Sequence, residues 1–250
     1  MFEGSGCPGA LVPQRLELFI HTIRRNNMTH RSDGAGQPKG ELMNVLVVGA
    51  AGRTGGLLVN RALQDGHTVT ALARNPSRIA ARPGLIATRG DVRDAADLAM
   101  AMAGQHAVTV ALGVQGRGAT TVFSEGLGNI VAAAQAAGTR RLMVMSSAGL
   151  STDHLPFIQR HMTHLVATRV YGQIHADLAR MEEIVVDSGL DWTIVRVPML
   201  KDGEPTSTYQ VSIGGHLDKA GTAIRADVAD WIVRNLAEPA TYRQRVEMAS

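Results

Sequence analysis

From Asn44 onward the chain alternates short, unbroken apolar runs with longer stretches whose apolar positions recur every three or four residues. NVLVV at 44–48 has the form of a strand buried on both faces, because a strand with one wet face would alternate. A helical spacing follows over 54–64. The pattern then repeats, with strands predicted at 67–73, 85–89, 106–112, 141–146 and 191–197. Helices are predicted at 95–102, at 120–137 (ended by Gly138) and at 173–187. Strands separated by helices imply parallel β-α-β units with right-handed crossovers. The expected fold class is α/β: a single Rossmann-type doubly wound parallel sheet with helices on both faces, spanning 43–250.

Residues 1–42 read differently. Gly/Pro clusters flank one short apolar stretch between Leu16 and Ile23, and basic and acidic residues are mixed throughout. A secretory leader would show a basic start, an apolar centre and a small-residue cleavage site in that order. None of that order is present. The segment is expected to be a largely disordered extension, with Met43 opening the folded domain.

Between the first strand and the first helix lies Gly49-Ala50-Ala51-Gly52-Arg53-Thr54-Gly55-Gly56. A glycine at the first position allows the tight turn, the second lets backbone approach a pyrophosphate, and the third permits close helix–strand packing. The helix start then presents unpaired N–H groups and a positive dipole end to phosphate. Gly49, Gly52, Arg53, Thr54 and Gly55 are therefore candidate cofactor-binding residues. The second strand runs into Arg74-Asn75-Pro76-Ser77-Arg78, with no carboxylate where NAD binders hold the ribose hydroxyls. Arg74, Ser77 and Arg78 suit a 2′-phosphate instead, through charge-assisted hydrogen bonds. The expected cofactor is NADP(H). Asp91 and Val92, after the third strand, fall where the adenine would lie.

Composition narrows the classes. No uncharged apolar run approaches the roughly 20 residues of a spanning helix, which argues against a membrane protein. The formal charge of +3 comes from scattered arginines, without the basic face of a nucleic-acid binder. Cys7 is alone, so neither an internal disulfide nor a cysteine zinc site is expected, and a cytoplasmic location fits. His154, His161 and His164 gather in 150–172, read as a loop, but lack the further convergent ligand that zinc needs, so no metal is expected. That loop and residues 200–210 are expected to cap a substrate pocket. Glu182 and Glu183 read as a solvated helix face, and Trp192 and Trp231 as packing residues.

Several segments recur in a recognisable order: Gly49–Gly55, Gly90-Asp91-Val92, Ala111-Leu112-Gly113, the stretch 120–126, Ser146-Ser147-Ala148 and 188–196. In order and spacing they resemble the atypical short-chain dehydrogenase/reductases of the NADPH-dependent flavin reductase (biliverdin-IXβ reductase) type, over nearly all of 43–250. The resemblance implies hydride transfer from NADPH to a flavin or tetrapyrrole. It places Leu112 and Gly113 along the cofactor, Ser146 on the cofactor side, and Ser147 beside nicotinamide and substrate. It also assigns Pro198 and Met199 to the loop lining the nicotinamide pocket. The family has a histidine where Met199 stands, which argues against biliverdin as the substrate. By analogy the chain is a monomer or weak homo-oligomer.

Ordinary short-chain dehydrogenases use Tyr-x-x-x-Lys, the lysine lowering the tyrosine pKa for proton exchange with a carbonyl. Here Tyr171 is followed four residues later by His175, so Tyr171 is a catalytic candidate beside Ser147 but conventional alcohol dehydrogenation is disfavoured. Reduction of a flavin or quinone does not need that pair, because the developing anion is delocalised and positioning suffices. The expectation is an NADPH-dependent reductase of a small planar acceptor. The alternative is an NmrA-like NADP-binding redox sensor, acting through a protein partner without turnover. A nucleotide-sugar epimerase or dehydratase is third, since 43–250 leaves little room for its substrate domain.

Overall fold

The computed structural model describes residues 28–31, 41–114, 118–150, 157–217 and 221–250, with side chains described outside 28–31 and 157–171. Along the chain these form β1 (Met28–Arg31), β2 (Asn44–Val48), α1 (Arg53–Gln64), β3 (Thr68–Ala73), β4 (Leu85–Arg89), α2 (Ala95–Met102), β5 (Ala107–Val110) and α3 (Val122–Ala137). There follow β6 (Arg141–Ser147), α4 (Phe157–Asp187), β7 (Asp191–Val197), β8 (Met199–Lys201), β9 (Thr208–Ile213), β10 (Thr222–Ile224), α5 (Arg225–Arg234) and β11 (Gln244–Ala249).

Among the described residues nine strands make one sheet in the order β1-β9-β11-β7-β6-β5-β2-β3-β4. From β4 to β11 every neighbouring pair is parallel, while β9 and β1 close that side antiparallel. Strand order reverses at β2, which has β3 on one side and β5 on the other. In open α/β sheets a ligand crevice forms outside the carboxyl ends of strands at such a reversal. Both faces are covered, as the unbroken apolar runs require. Val45 and Val47 face a core shared with Leu58 and Val59 of α1 and with Trp231 and Ile232 of α5. Leu46 and Val48 face the other core, with Leu98 of α2, Leu127 and Ile130 of α3, and Met181 and Val185 of α4. Trp192 and Trp231 both pack in these cores, as expected.

The end of the sheet away from the crevice is fastened by one buried cation. The Arg141 guanidinium donates from Nε to Leu236 O, from Nη1 to Asp191 O and Thr193 Oγ1, and from Nη2 to Asn235 O and Thr241 Oγ1. All five of its donors end on neutral oxygens, so one side chain ties β6 to β7 and to the exit of α5. Burial pulls its pKa down to about 10, against the pull of Tyr242 and Asp191.

Three differences from the sequence reading matter. Helix α4 does not begin at 173: it starts at Phe157, so most of the expected 150–172 loop is helical. Gly172 lies inside this helix, where one glycine costs only about 1 kcal/mol. The 200–210 segment is no plain loop either: β8 pairs in parallel with β10, and β9 starts at Thr208. Finally, four residues of the N-terminal segment form β1 on the edge of β9, and the rest of 1–40 lies outside the described residues. No described helix is long and apolar enough to cross a membrane.

Because β1 adds one short edge pairing to a sheet whose two cores are built from 43–250, a 43–250 chain should keep its far-UV circular dichroism and melt within about 5 °C of the full chain. A thermal melt of both proteins checks this.

Candidate functional site

The crevice wall begins where β2 ends. Gly49 adopts φ +81°, and a Cβ there would lie 2.5 Å from the Ala111 carbonyl oxygen. At Gly55 a Cβ would stand 2.1 Å from the Gly49 carbonyl oxygen, and at Gly52 it would stand 3.1 Å from the same atom. The turn is closed by Gly52 N–H donating to Gly49 O at 2.9 Å. Helix α1 therefore starts in direct contact with the strand it leaves. Its N-cap is Gly52, with no side-chain cap and no acidic residue in the first turn. The N–H groups of Arg53, Thr54 and Gly55 are the first of the helix and have no intrahelical partner. This glycine-walled cradle fits a pyrophosphate, and no carboxylate in the first turn of α1 competes for it.

Thr54 is buried, whereas Arg53 reaches outward to Asp202, Nη1 to Oδ2 at 3.0 Å. Asp202 also accepts from Arg225 Nη1 at 2.8 Å. Past the end of β3, Asn75 caps a 3-10 turn over Pro76–Arg78 by accepting from Ser77 N at 3.2 Å and Ser77 Oγ at 2.6 Å. Arg74 and Arg78 are exposed on either side of that turn, and among the described residues neither has an ion-pair partner. Their charge is available to a ligand; the Ser77 hydroxyl is already engaged.

After β4, the Asp91 carboxylate accepts from Arg93 N at 3.0 Å, while its own N–H donates to Asp97 Oδ2 at 3.0 Å. Val92 is buried against Gly126, where a Cβ would lie 2.8 Å from Val92 Cγ2. Leu112 is half-buried and Gly113 exposed, both just past β5. These residues line the C-terminal side of β2, β4 and β5, where the sequence places the cofactor.

The far side of the site is built by β6, β7 and α4. Ser147 Oγ accepts from Gly149 N–H at 3.2 Å and stands 3.3 Å from His175 Nε2. Gly149 lies close to this pair, since a Cβ there would come within 3.1 Å of His175 Cε1 and 3.3 Å of Ser147 Oγ. Burial lowers the His175 pKa below its ordinary 6.5. Near neutral pH the imidazole that follows Tyr171 by one helical turn is therefore uncharged, unlike the lysine of the conventional pair. The side chains of Tyr171, His161 and His164 lie outside the described residues, as does His154 altogether.

Ser146 does not join the cofactor side. Its buried hydroxyl donates to Glu182 Oε1 at 2.7 Å, on the α4 face of the sheet. Glu182 is not solvated as its helical position suggested: it is 3% exposed. Arg196 grips it from Nε at 3.0 Å and Nη2 at 2.7 Å, and Arg245 adds Nε at 3.2 Å. Burial alone would raise this carboxyl's pKa, but those bonds hold it below the ordinary 4.5. A lone glutamate beside another on a helix carries no signal of this, because its partners come from strands 14 and 63 residues away. Pro198 is half-buried between β7 and β8, and Met199, in β8, is 72% exposed. Among the described residues there is no His/Cys/Asp/Glu group able to hold a metal.

Comparison with known proteins identifies the family. Residues 49–239 match a family described as NAD(P)H-binding. A 3-beta-hydroxysteroid dehydrogenase of Mycolicibacterium neoaurum is 35% identical over 119 residues, which are 43% of this chain and 32% of that longer protein. Among solved structures, a short-chain dehydrogenase/reductase of Veillonella parvula in complex with NADP superposes with TM-score 0.70 at 18% identity, covering 84% of this chain and 95% of that one. ChuY, described as an anaerobillin reductase of Escherichia coli O157:H7, gives TM-score 0.65 at 25% identity, covering 82% and 96%.

Two expected outcomes follow from the geometry. Gly55→Ala must push α1 off the turn, so dinucleotide affinity should fall at least about tenfold with a lowered melting temperature; fluorescence titration and a melt measure both. His175 is a base whose pKa is depressed by folding, so its contribution is intact above pH 6.5 and stability is lost as pH falls towards the folded value. Urea unfolding between pH 5 and 8, on the order of the range where histidine titrates, should show a shallower acid-side slope in His175→Asn.

Proposed function

The chain belongs to the NAD(P)H-binding family, and we propose that it is an NADPH-dependent reductase that passes hydride to a flavin, quinone or similar planar acceptor. The observation that carries this reading is the pairing of Ser147 with an uncharged His175 at the crevice end of β6. When bound, the nicotinamide dinucleotide supplies the hydride. The protein's part is to hold the two reactants in register. The N–H groups opening α1 would hold the pyrophosphate, with Gly49, Gly52 and Gly55 keeping side chains out of its way. Arg74 and Arg78 would take the 2′-phosphate, for which a planar fork of donors is well suited.

Ser147 would present its hydroxyl to the nicotinamide or the acceptor. Gly149 N–H and the imidazole fix where that hydroxyl stands. A neutral imidazole cannot lower the pKa of a nearby phenol by charge, as a lysine does. The site is thus better matched to an acceptor whose reduced form spreads its negative charge than to a simple ketone. Pro198 and the exposed Met199 would border the acceptor from β7 and β8, giving an apolar, adaptable edge. The likeness to ChuY supports this reading, since its described activity is that of a reductase. The dehydrogenase likeness supports oxidoreductase chemistry.

The test follows NADPH absorbance with purified protein, offering FMN, a benzoquinone, biliverdin or no acceptor, with NADH alongside. Acceptor-dependent oxidation that is faster with NADPH is expected, and Ser147→Ala should slow it about tenfold or more. Arg74→Ser/Arg78→Ser should weaken NADPH at least about tenfold while leaving NADH unchanged. Tight NADPH binding without turnover on any acceptor would replace the reductase with a redox sensor.

A further inference from the structure

On the α4 face of the sheet, beyond the helix itself, β7 and β11 carry two arginines on adjacent strands. Arg196 pairs with Glu247 in the strand register, and Arg245 lies two residues before Glu247, so all three side chains share one face. The segment Gly214–His216, which follows β9, covers them. Between lies a cavity of about 230 Å³, lined by Arg196, Arg245, His216, Glu247 and the backbone of Gly214 and Gly215.

Every carboxylate oxygen of the acidic groups here has a partner. Both Glu182 oxygens accept from Ser146, Arg196 and Arg245. Glu247, 3% exposed, meets His216 Nδ1 at 2.7 Å through Oε1 and accepts from Leu217 N at 2.9 Å through Oε2. The guanidiniums are only partly engaged. Arg196 spends Nε and one N–H of Nη2, and Arg245 spends Nε alone. Among the described residues, three N–H groups of Arg196 and four of Arg245 have no acceptor. Glu182 holds the two cations by their Nε edges, so the η nitrogens carry the unspent donors. Arg245 is steadied further by lying over the Trp192 ring, 5.9 Å from its centroid.

We propose that this cavity is a binding site for a small oxyanion, a carboxylate or phosphate group, held by the η nitrogens of Arg196 and Arg245. Its volume suits one such group rather than a whole dinucleotide, and its chemistry is that of forked donors meeting paired oxygens. The two arginines balance the charge of Glu182 and Glu247. Hydrogen bonding in a part-enclosed space, more than net charge, provides the attraction, so affinity in the millimolar range is expected. The site is separate from the phosphate cradle at α1, and the inference stands whether or not the protein turns over NADPH.

The probes are acetate and inorganic phosphate, titrated into the full chain against chloride at constant ionic strength. Arginine Nε–H resonances are followed by NMR. Saturable shifts of the Arg196 and Arg245 signals are expected, with Arg245→Gln weakening binding at least about tenfold. Arg245 is the residue to change because its side chain is 42% exposed, and Arg196 keeps its grip on Glu182 without it. Arg74→Ser, which alters the dinucleotide cradle, should leave these shifts in place. Absence of saturation in the native protein overturns the proposal, as does binding retained in Arg245→Gln or lost in Arg74→Ser. A crystal soaked in acetate or phosphate gives a second reading: an oxyanion within hydrogen-bond distance of Arg245 Nη supports the site, and an empty cavity at saturating probe refutes it.

Discussion

Between the carbonyl of Gly49 and the Cα of Gly55 there is no space for a methyl group. That single close approach sets where α1 begins, and so where its unpaired N–H groups point. It also fixes how α1 lies on β2 and β3, since Leu58 and Val59 enter the same core as Val47 and Ala71. The crossover from β2 to β3 and the return past β2 to β5 then leave one open end in the sheet. The shape of this turn is a consequence of fitting a helix against a strand with only hydrogen atoms between them.

The other end of the site depends on α4. His175 and Glu182 stand two helical turns apart on one face of it, and each meets one of the consecutive serines that end β6. Asp177, between them in sequence and fully buried, accepts from Phe123 N and from both N and Oγ of Ser124, so it caps α3. One helix thus positions an imidazole, anchors the β7–β11 arginines and tethers its neighbour. Ser146 is buried against Glu182, whereas Ser147, the last residue of β6, is only half-buried and stands at the carboxyl end of the strand.

Much of this was legible from the sequence. The parallel α/β sheet, six of its strands and the glycine cradle could be read because buried strands and tight turns impose local patterns on neighbouring residues. The missing acid after β3 was equally local. What could not be read depends on partners far apart in the chain. Glu182 looks like a surface residue until Arg196 and Arg245 are brought to it, and Arg141 gives no hint that its acceptors are supplied 50 to 100 residues later. Strands β8 and β10 have only three residues each, too few for an apolar periodicity that separates them from loops. The start of α4 was missed because 150–172 reads as a polar loop.

Asp202 spans Arg53 of the phosphate turn and Arg225 at the start of α5, and both it and Arg53 are largely exposed. An ion pair in water contributes little, commonly between 0 and about 1 kcal/mol, and less as salt rises. The arginine is therefore held in place without being committed. Exchanging that carboxylate for another anion costs the molecule almost nothing, and the segment carrying Asp202 would be freed on one side while Arg225 keeps it on the other. Such a contact leaves the long Arg53 side chain able to exchange one anionic partner for another at the protein surface.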